Sequence, residues 1–84
     1  MDIEFLRLAQ RKFFEFETMS NPIFCSIRLS SSSNMIIVDC TGNKGQTASF
    51  AMSFEQITFA FDSSIVEMML KEGLTNAREK IWKE

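Results

Sequence analysis

Residues 23 to 53 constrain the fold most strongly, because apolar and polar side chains alternate there in three short runs. Alternation with a period of two indicates β-strands that bury one face. The predicted strands are 23–30, 35–41 and 46–53, separated by two short turns. Strands joined by turns of this length pair with their neighbours in antiparallel fashion. The segment therefore predicts a three-stranded antiparallel meander.

The two turns predict the register of the meander independently of each other. The first has four residues, 31–34, and the second has three, 43–45, with Gly45 where a left-handed backbone is required. Each turn brings the apolar residues of its two strands onto the same face, as correct pairing should. The expected pairs on that face include Leu29 with Ile36, Ile27 with Val38, Cys25 with Cys40, Cys40 with Ala48, Val38 with Phe50, and Ile36 with Met52.

A helix is predicted before the meander, over residues 2–17. Apolar residues recur there every three or four positions, and Asp2 is suited to cap the first turn. Phe14 and Phe16 alternate with glutamates, so a short strand over 13–18 is the competing interpretation. The helical spacing of the preceding residues favours the helix. Pro22 then requires an extended backbone at the entry to the first strand.

Helical spacing returns after the meander. Ser53 and Gln56 form a capping box, which predicts a helix over 54–72. Asp62 and Ser63 are poor helix formers, so a break near 62–64 is left open. Gly73 is expected to end this helix, and a short last helix is predicted over 76–83. The residues expected on the buried face are Phe54, Ile57, Phe61, Ile65 and Met68.

These elements predict an α+β fold in the order α-β-β-β-α-α, with the helices packed on the three-stranded antiparallel meander. The chain has 84 residues, which is the length of one small domain, so residues 1–84 are expected to form a single compact unit.

The composition excludes most common catalytic chemistry. The chain has no histidine and no tyrosine, and its two cysteines are too few for a thiolate metal site. We therefore expect no enzyme activity, no cofactor and no metal. The remaining catalytic alternative is a site built from carboxylates and lysines, such as Asp39 with Lys44. An exposed cross-strand pairing of Asp39 beside Ser26 and Arg28 is the simpler interpretation.

Two motifs have bland interpretations that we favour. Cys25 and Cys40 are expected to be cross-strand neighbours, and two small buried apolar side chains are favoured over a redox pair or disulfide. Residues 41–47 contain two glycines and a lysine, but their spacing and the strand that follows do not match a phosphate-binding loop. This segment therefore predicts a turn.

The charge balance does not indicate a strong nucleic-acid binder. Nine basic residues stand against eleven acidic ones, for a formal charge of −2. Arg7, Arg11 and Lys12 cluster on the first helix, but they are interleaved with Glu4 and Glu15. Nucleic-acid binding through this cluster is kept as the alternative to protein interaction.

Two apolar surfaces are candidates for contact with another protein. The outer face of the sheet is predicted to carry a small patch rimmed by polar groups. A second stripe is predicted on the back of the long helix, provided that this helix is continuous. The residues of the first surface are Phe24, Met35, Ile37 and Ala51, and those of the second are Phe59, Val66 and Leu70.

The expected function is therefore a non-catalytic protein-interaction module. It is either a small inhibitor or adaptor of a larger protein, of the phage accessory or anti-defence type, or a homodimer. No signal pattern and no apolar run long enough to span a bilayer occurs in the sequence, so a cytoplasmic location is expected. A protein or a second copy is the expected partner, and nucleic acid, membrane and metal are not.

Overall fold

The computed structural model describes residues 3–30, 32–59 and 63–83, with side chains at all of them except Thr58, Phe59 and Ser63. The predicted cap Asp2 and the predicted buried residue Phe61 lie outside this part. The predicted α-β-β-β-α-α order is confirmed. The elements are α1 (Ile3–Glu17), β1 (Phe24–Ser30), β2 (Met35–Thr41), β3 (Thr47–Ser53), α2 (Phe54–Phe59) and α3 (Ser63–Ile81).

The sheet has the order β1-β2-β3, and both antiparallel registers are those predicted from the turns. Cys25 lies opposite Cys40, and Val38 lies opposite Phe50. Gly45 has a φ of 84°, the left-handed conformation that its turn position requires. The residues of the turns and the alternation of apolar and polar side chains indicate the same pairing, so the sheet was predicted correctly.

The helix interpretation of residues 13–17 is also confirmed. A strand would have placed Phe14 and Phe16 on the same face. In α1, Phe16 is 3% exposed and Phe14 is 64% exposed, because two residues are about 200° apart on a helix. Thr18 ends the helix, where its hydroxyl donates a 3.1 Å hydrogen bond to the carbonyl oxygen of Phe14.

The helices α1 and α3 lie side by side on one face of the sheet, which we call the inner face. α1 packs on β1, and α3 packs on β2 and β3. Leu29 was expected among the buried inner-face residues, and it is 57% exposed because it lies next to the end of an edge strand. The core consists of Phe5, Leu8, Ala9, Phe16, Ile23, Ile36, Val38, Cys40, Met52, Val66, Leu70, Leu74, Ala77 and Ile81.

The segment after the meander agrees with its prediction in part. The capping box is confirmed, since the Gln56 N–H donates to Ser53 Oγ and the Ser53 N–H donates to Gln56 Oε1. Of the two alternatives for residues 54–72, the one with two helices is found, since α2 ends at Phe59 and α3 begins at Ser63. The predicted stop at Gly73 and the separate helix over 76–83 are wrong, since α3 continues to Ile81.

Close packing, and not helix termination, accounts for Gly73. A Cβ atom at this position would lie 2.5 Å from Cε2 of Phe50, closer than carbon atoms in contact can approach. The missing side chain allows the backbone of α3 to approach the ring of Phe50 on β3. The close approach of α3 to β3 at this position therefore depends on the absence of a side chain.

The buried face of α3 is also opposite to the one predicted. Ile65 and Met68 are 43% and 62% exposed, whereas Val66 is 5% and Leu70 is 0% exposed. Because α2 ends before α3 begins, the face of α3 is not tied to that of α2. Its own longest apolar stripe is buried instead. That stripe consists of Val66, Leu70, Leu74, Ala77 and Ile81.

The end of α3 is tied to the connection between α1 and β1. The Trp82 Nε1–H donates a 3.0 Å hydrogen bond to the carbonyl oxygen of Pro22, and Arg78 Nε donates one of 2.7 Å to that of Asn21. These bonds satisfy carbonyl groups in a segment without regular structure. They also hold the end of α3 against the connection between α1 and β1.

We predict that Gly73→Ala lowers the free energy of unfolding by about 1–2 kcal/mol, because overpacking against Phe50 outweighs the gain of about 1 kcal/mol in helix propensity. Chemical denaturation measures the effect. Asn76→Ala, at an exposed position of the same helix, is the matched control and should be neutral or slightly stabilising. In a Phe50→Leu background the penalty should shrink. Stabilisation by Gly73→Ala alone would contradict the packing role.

Candidate interaction surface

The outer face of the sheet carries the first predicted surface. Ile37 lies on the central strand between Arg28 and Ala51, and Met35 lies on the same face towards the end of the strand. Phe24 and Ala51 are exposed, and Met35 and Ile37 are half-buried. The positions predicted for these four residues are therefore correct, and their role in partner binding stays a prediction.

Polar groups occupy most of the remaining outer face. Arg28 Nε lies 3.1 Å from Asp39 Oδ2, which is the cross-strand pair expected from the sequence. Ser26 and Ser49 flank Asp39 on the two edge strands. Lys44 lies apart in the exposed turn, where its backbone N–H binds Gln46 Oε1. The apolar residues Met35, Ile37 and Ala51 thus form a short group near one end of this face, and Phe24 lies apart at the other end.

Two of the three residues predicted for the second surface are not exposed. Val66 and Leu70 belong to the hydrophobic core, so the prediction that they contact a partner is wrong. The prediction assumed one continuous helix, and the separate start of α3 removes that assumption. The side chain of Phe59 lies outside the described part. On α3 the exposed apolar residues are Ile65 and Met68 instead.

The basic cluster of α1 is divided by the packing of α3. Lys12 is only 12% exposed, and its Nζ lies 2.8 Å from Glu67 Oε1 and 3.2 Å from Glu15 Oε2. These hydrogen bonds raise the pKa of Lys12, and the bond with Lys12 lowers the pKa of Glu67. Arg7 and Arg11 are exposed and form no ion pair with another described residue. Lys12 is therefore a contact between α1 and α3 and is not free to bind phosphate.

The two cysteines are cross-strand neighbours, as predicted. Their Sγ atoms are 3.3 Å apart, both thiols are free, Cys25 is half-buried and Cys40 is buried. The hydrogen bond that Cys25 donates to Cys40, together with burial, raises the pKa of Cys25. At neutral pH the Cys25 side chain is therefore a neutral thiol.

Two hydrogen bonds at the ends of the β2–β3 ladder show which peptide groups of β3 face β2. The Gly42 N–H donates to the carbonyl oxygen of Gln46, and the Phe54 N–H donates to that of Asn34. Hydrogen-bonded and non-hydrogen-bonded pairs alternate along an antiparallel ladder. The hydrogen-bonded pairs between these ends are therefore Cys40 with Ala48, Val38 with Phe50, and Ile36 with Met52.

The open edge of β3 therefore consists of the peptide groups of Thr47, Ser49 and Ala51. These three residues direct their N–H and C=O groups away from β2, and their side chains are exposed. Within the described ranges, no hydrogen bond occupies these groups. At Ser53 the edge ends, since its N–H binds Gln56 Oε1 at 2.9 Å. The open edge is thus centred on Ser49.

Edge strands are usually protected by charged residues, proline or a bulge. β3 has the sequence TASFAMS, which contains no charge and no proline, whereas β1 carries Arg28. We did not predict this edge from the sequence. The signal was present, because the last strand of a meander is an edge strand and residues 47–53 contain no charged side chain.

The described residues form neither a metal-binding cluster nor a buried polar site. They contain no group of three or more His, Cys, Asp or Glu side chains that could hold a metal ion, and no buried polar or charged residue. None of their helices is long and apolar enough to cross a membrane.

We predict that Ile37→Glu leaves the domain folded, because the new carboxylate lies on the open face beside Arg28. Val38→Glu should abolish the cooperative unfolding transition, because it places a charge without a partner in the core. Circular dichroism during urea titration compares the two adjacent substitutions directly. Unfolding by Ile37→Glu would mean that the outer face is covered.

No protein-family model, no curated protein and no solved structure matches the chain.

Proposed function

We propose that this chain is a non-catalytic protein-interaction module that associates by strand addition at the open edge of β3, and that its partner there is a second copy of the chain. The observation that carries the proposal is the row of three unpaired peptide groups at Thr47, Ser49 and Ala51. Ala51 also belongs to the outer-face surface predicted from the sequence.

Unpaired peptide groups at a sheet edge favour a particular kind of occupant. They present N–H donors and C=O acceptors at strand spacing, which an extended strand satisfies in alternate positions. The side chains on this edge are small on the outer face, where Thr47, Ser49 and Ala51 point. A second backbone can therefore approach without displacing bulky groups.

The sequence of β3 is complementary to itself. A two-fold axis through Ser49 pairs all three outward residues in antiparallel fashion and places Thr47 opposite the partner's Ala51. On the inner face, the same axis places Ala48 opposite the partner's Phe50, so that small side chains meet large ones. No like charges meet, because the strand carries none.

The edge of β1 and the basic cluster of α1 are less suitable for binding a partner than the edge of β3. Arg28 places a charge on β1, which disfavours pairing of that edge with its own copy. The basic cluster of α1 is less suited to nucleic-acid binding, because Lys12 is held by Glu15 and Glu67. A dimer through β3 would join two outer faces into one platform, which is a surface suited to an adaptor or inhibitor.

The solution mass, measured by light scattering behind a sizing column, tests the proposal. The wild-type chain should have twice the single-chain mass of 9.7 kDa at both low and high salt, because an uncharged interface is not screened. Ser49→Lys should be monomeric, since two lysines would meet at the two-fold axis. Ser26→Lys is the matched control, because Ser26 is the other cross-strand neighbour of Asp39, and it should remain dimeric.

A charge swap makes the test specific to this edge. Ser49→Lys and Ser49→Glu chains should each be monomeric and should form a heterodimer when they are mixed, because opposite charges then meet. A single-chain mass for the wild type at every concentration would contradict self-association. A dimer that persists in Ser49→Lys would show that another surface is used.

A further inference from the structure

Cys25 and Cys40 lie in a position where two strands approach most closely. Cys40 directs its peptide groups to β3, so its pair with Cys25 on the other side is a non-hydrogen-bonded pair. Such pairs have Cα atoms about 4.5 Å apart, within the range of about 4.4–6.8 Å that a disulfide requires. The backbone is therefore already placed for a cross-strand bond.

The side chains are placed for it as well. The two Sγ atoms are 3.3 Å apart, so a bond of about 2.05 Å requires an approach of little more than about 1 Å. Rotation of the two thiols can supply this movement without a change of register. The chain contains no third cysteine, so no other pairing within one chain competes.

Access to the pair is one-sided. Cys40 is 1% exposed, whereas Cys25 is half-buried and lies on an edge strand. A small reagent therefore reaches Cys25 first, and Cys40 lies behind it in contact with its sulfur.

From this geometry we propose that Cys25 and Cys40 are a site of reversible covalent modification, at which a small-molecule disulfide such as glutathione disulfide forms a Cys25–Cys40 disulfide. This inference is independent of strand addition at β3, because β1 and not β3 carries Cys25.

The exchange proceeds in two balanced steps. The Cys25 thiolate attacks one sulfur of glutathione disulfide, forms a mixed disulfide and releases one glutathione thiolate. The Cys40 thiolate then attacks Cys25 Sγ, forms the cross-strand bond and displaces the second glutathione. The two protein thiols are oxidised, one glutathione disulfide is reduced to two thiols, and the two cysteine protons end on the released glutathione.

The environment of Cys25 affects the rate of the first step. The hydrogen bond to Cys40, burial and the negative charge of Glu17 raise the pKa of Cys25, whereas the same hydrogen bond lowers the pKa of Cys40. Cys25 therefore keeps its proton near neutral pH, and its thiolate is scarce there. The reaction should therefore accelerate as the pH rises through the alkaline range.

Treatment of the folded wild-type chain with glutathione disulfide at mildly alkaline pH tests the proposal. We expect the loss of both free thiols, a mass lower by two hydrogen atoms, an upward shift of the thermal midpoint, and full reversal by dithiothreitol. Cys40→Ala should stop at the mixed disulfide and gain the mass of one glutathione less two hydrogen atoms. Cys25→Ala should react much more slowly, because its remaining thiol is buried.

Two results would overturn the proposal. One is retention of both thiols in the folded chain under conditions that oxidise the denatured chain. The other is a wild-type product that remains a mixed disulfide. Both are read from the wild-type protein, so they hold even where a cysteine variant folds poorly.

Discussion

Burial of the inner face of the central strand is the constraint on which the rest of the structure depends. Ile36, Val38 and Cys40 are all at most 1% exposed beneath the helices. A shift of one residue in either register would turn these side chains outward. The same register determines which peptide groups of β3 face away from the sheet. It also brings Cys25 against Cys40.

The sheet could be predicted from the sequence because two local signals agree there. Alternation in the strands and the residues of the turns lead to the same pairing, and Gly45 has the backbone its turn requires. The outer-face positions of Phe24, Met35, Ile37 and Ala51 followed from that pairing. The open edge of β3 was readable too, although it required a count of outward peptide groups in addition to side chains.

The helices were less predictable because their decisive partners are distant in sequence. Gly73 resembles a helix stop locally, and only the ring of Phe50 explains it. Val66 and Leu70 lay on the outer side of an assumed continuous helix, and the separate start of α3 reversed that assignment. In the sequence Lys12 resembles a free cation, but in the fold it forms an ion pair with Glu67. In each case a tertiary contact outweighs a local pattern.

The attachment of Trp82 to Pro22 has a consequence for synthesis of the chain. The two residues are 60 positions apart, and α3 supplies much of the cover of β2 and β3. As the chain leaves the ribosome, α1 and the meander emerge while that cover is still missing. The inner face over β2 and β3 therefore stays uncovered until α3 has emerged, and transiently uncovered apolar surface favours aggregation.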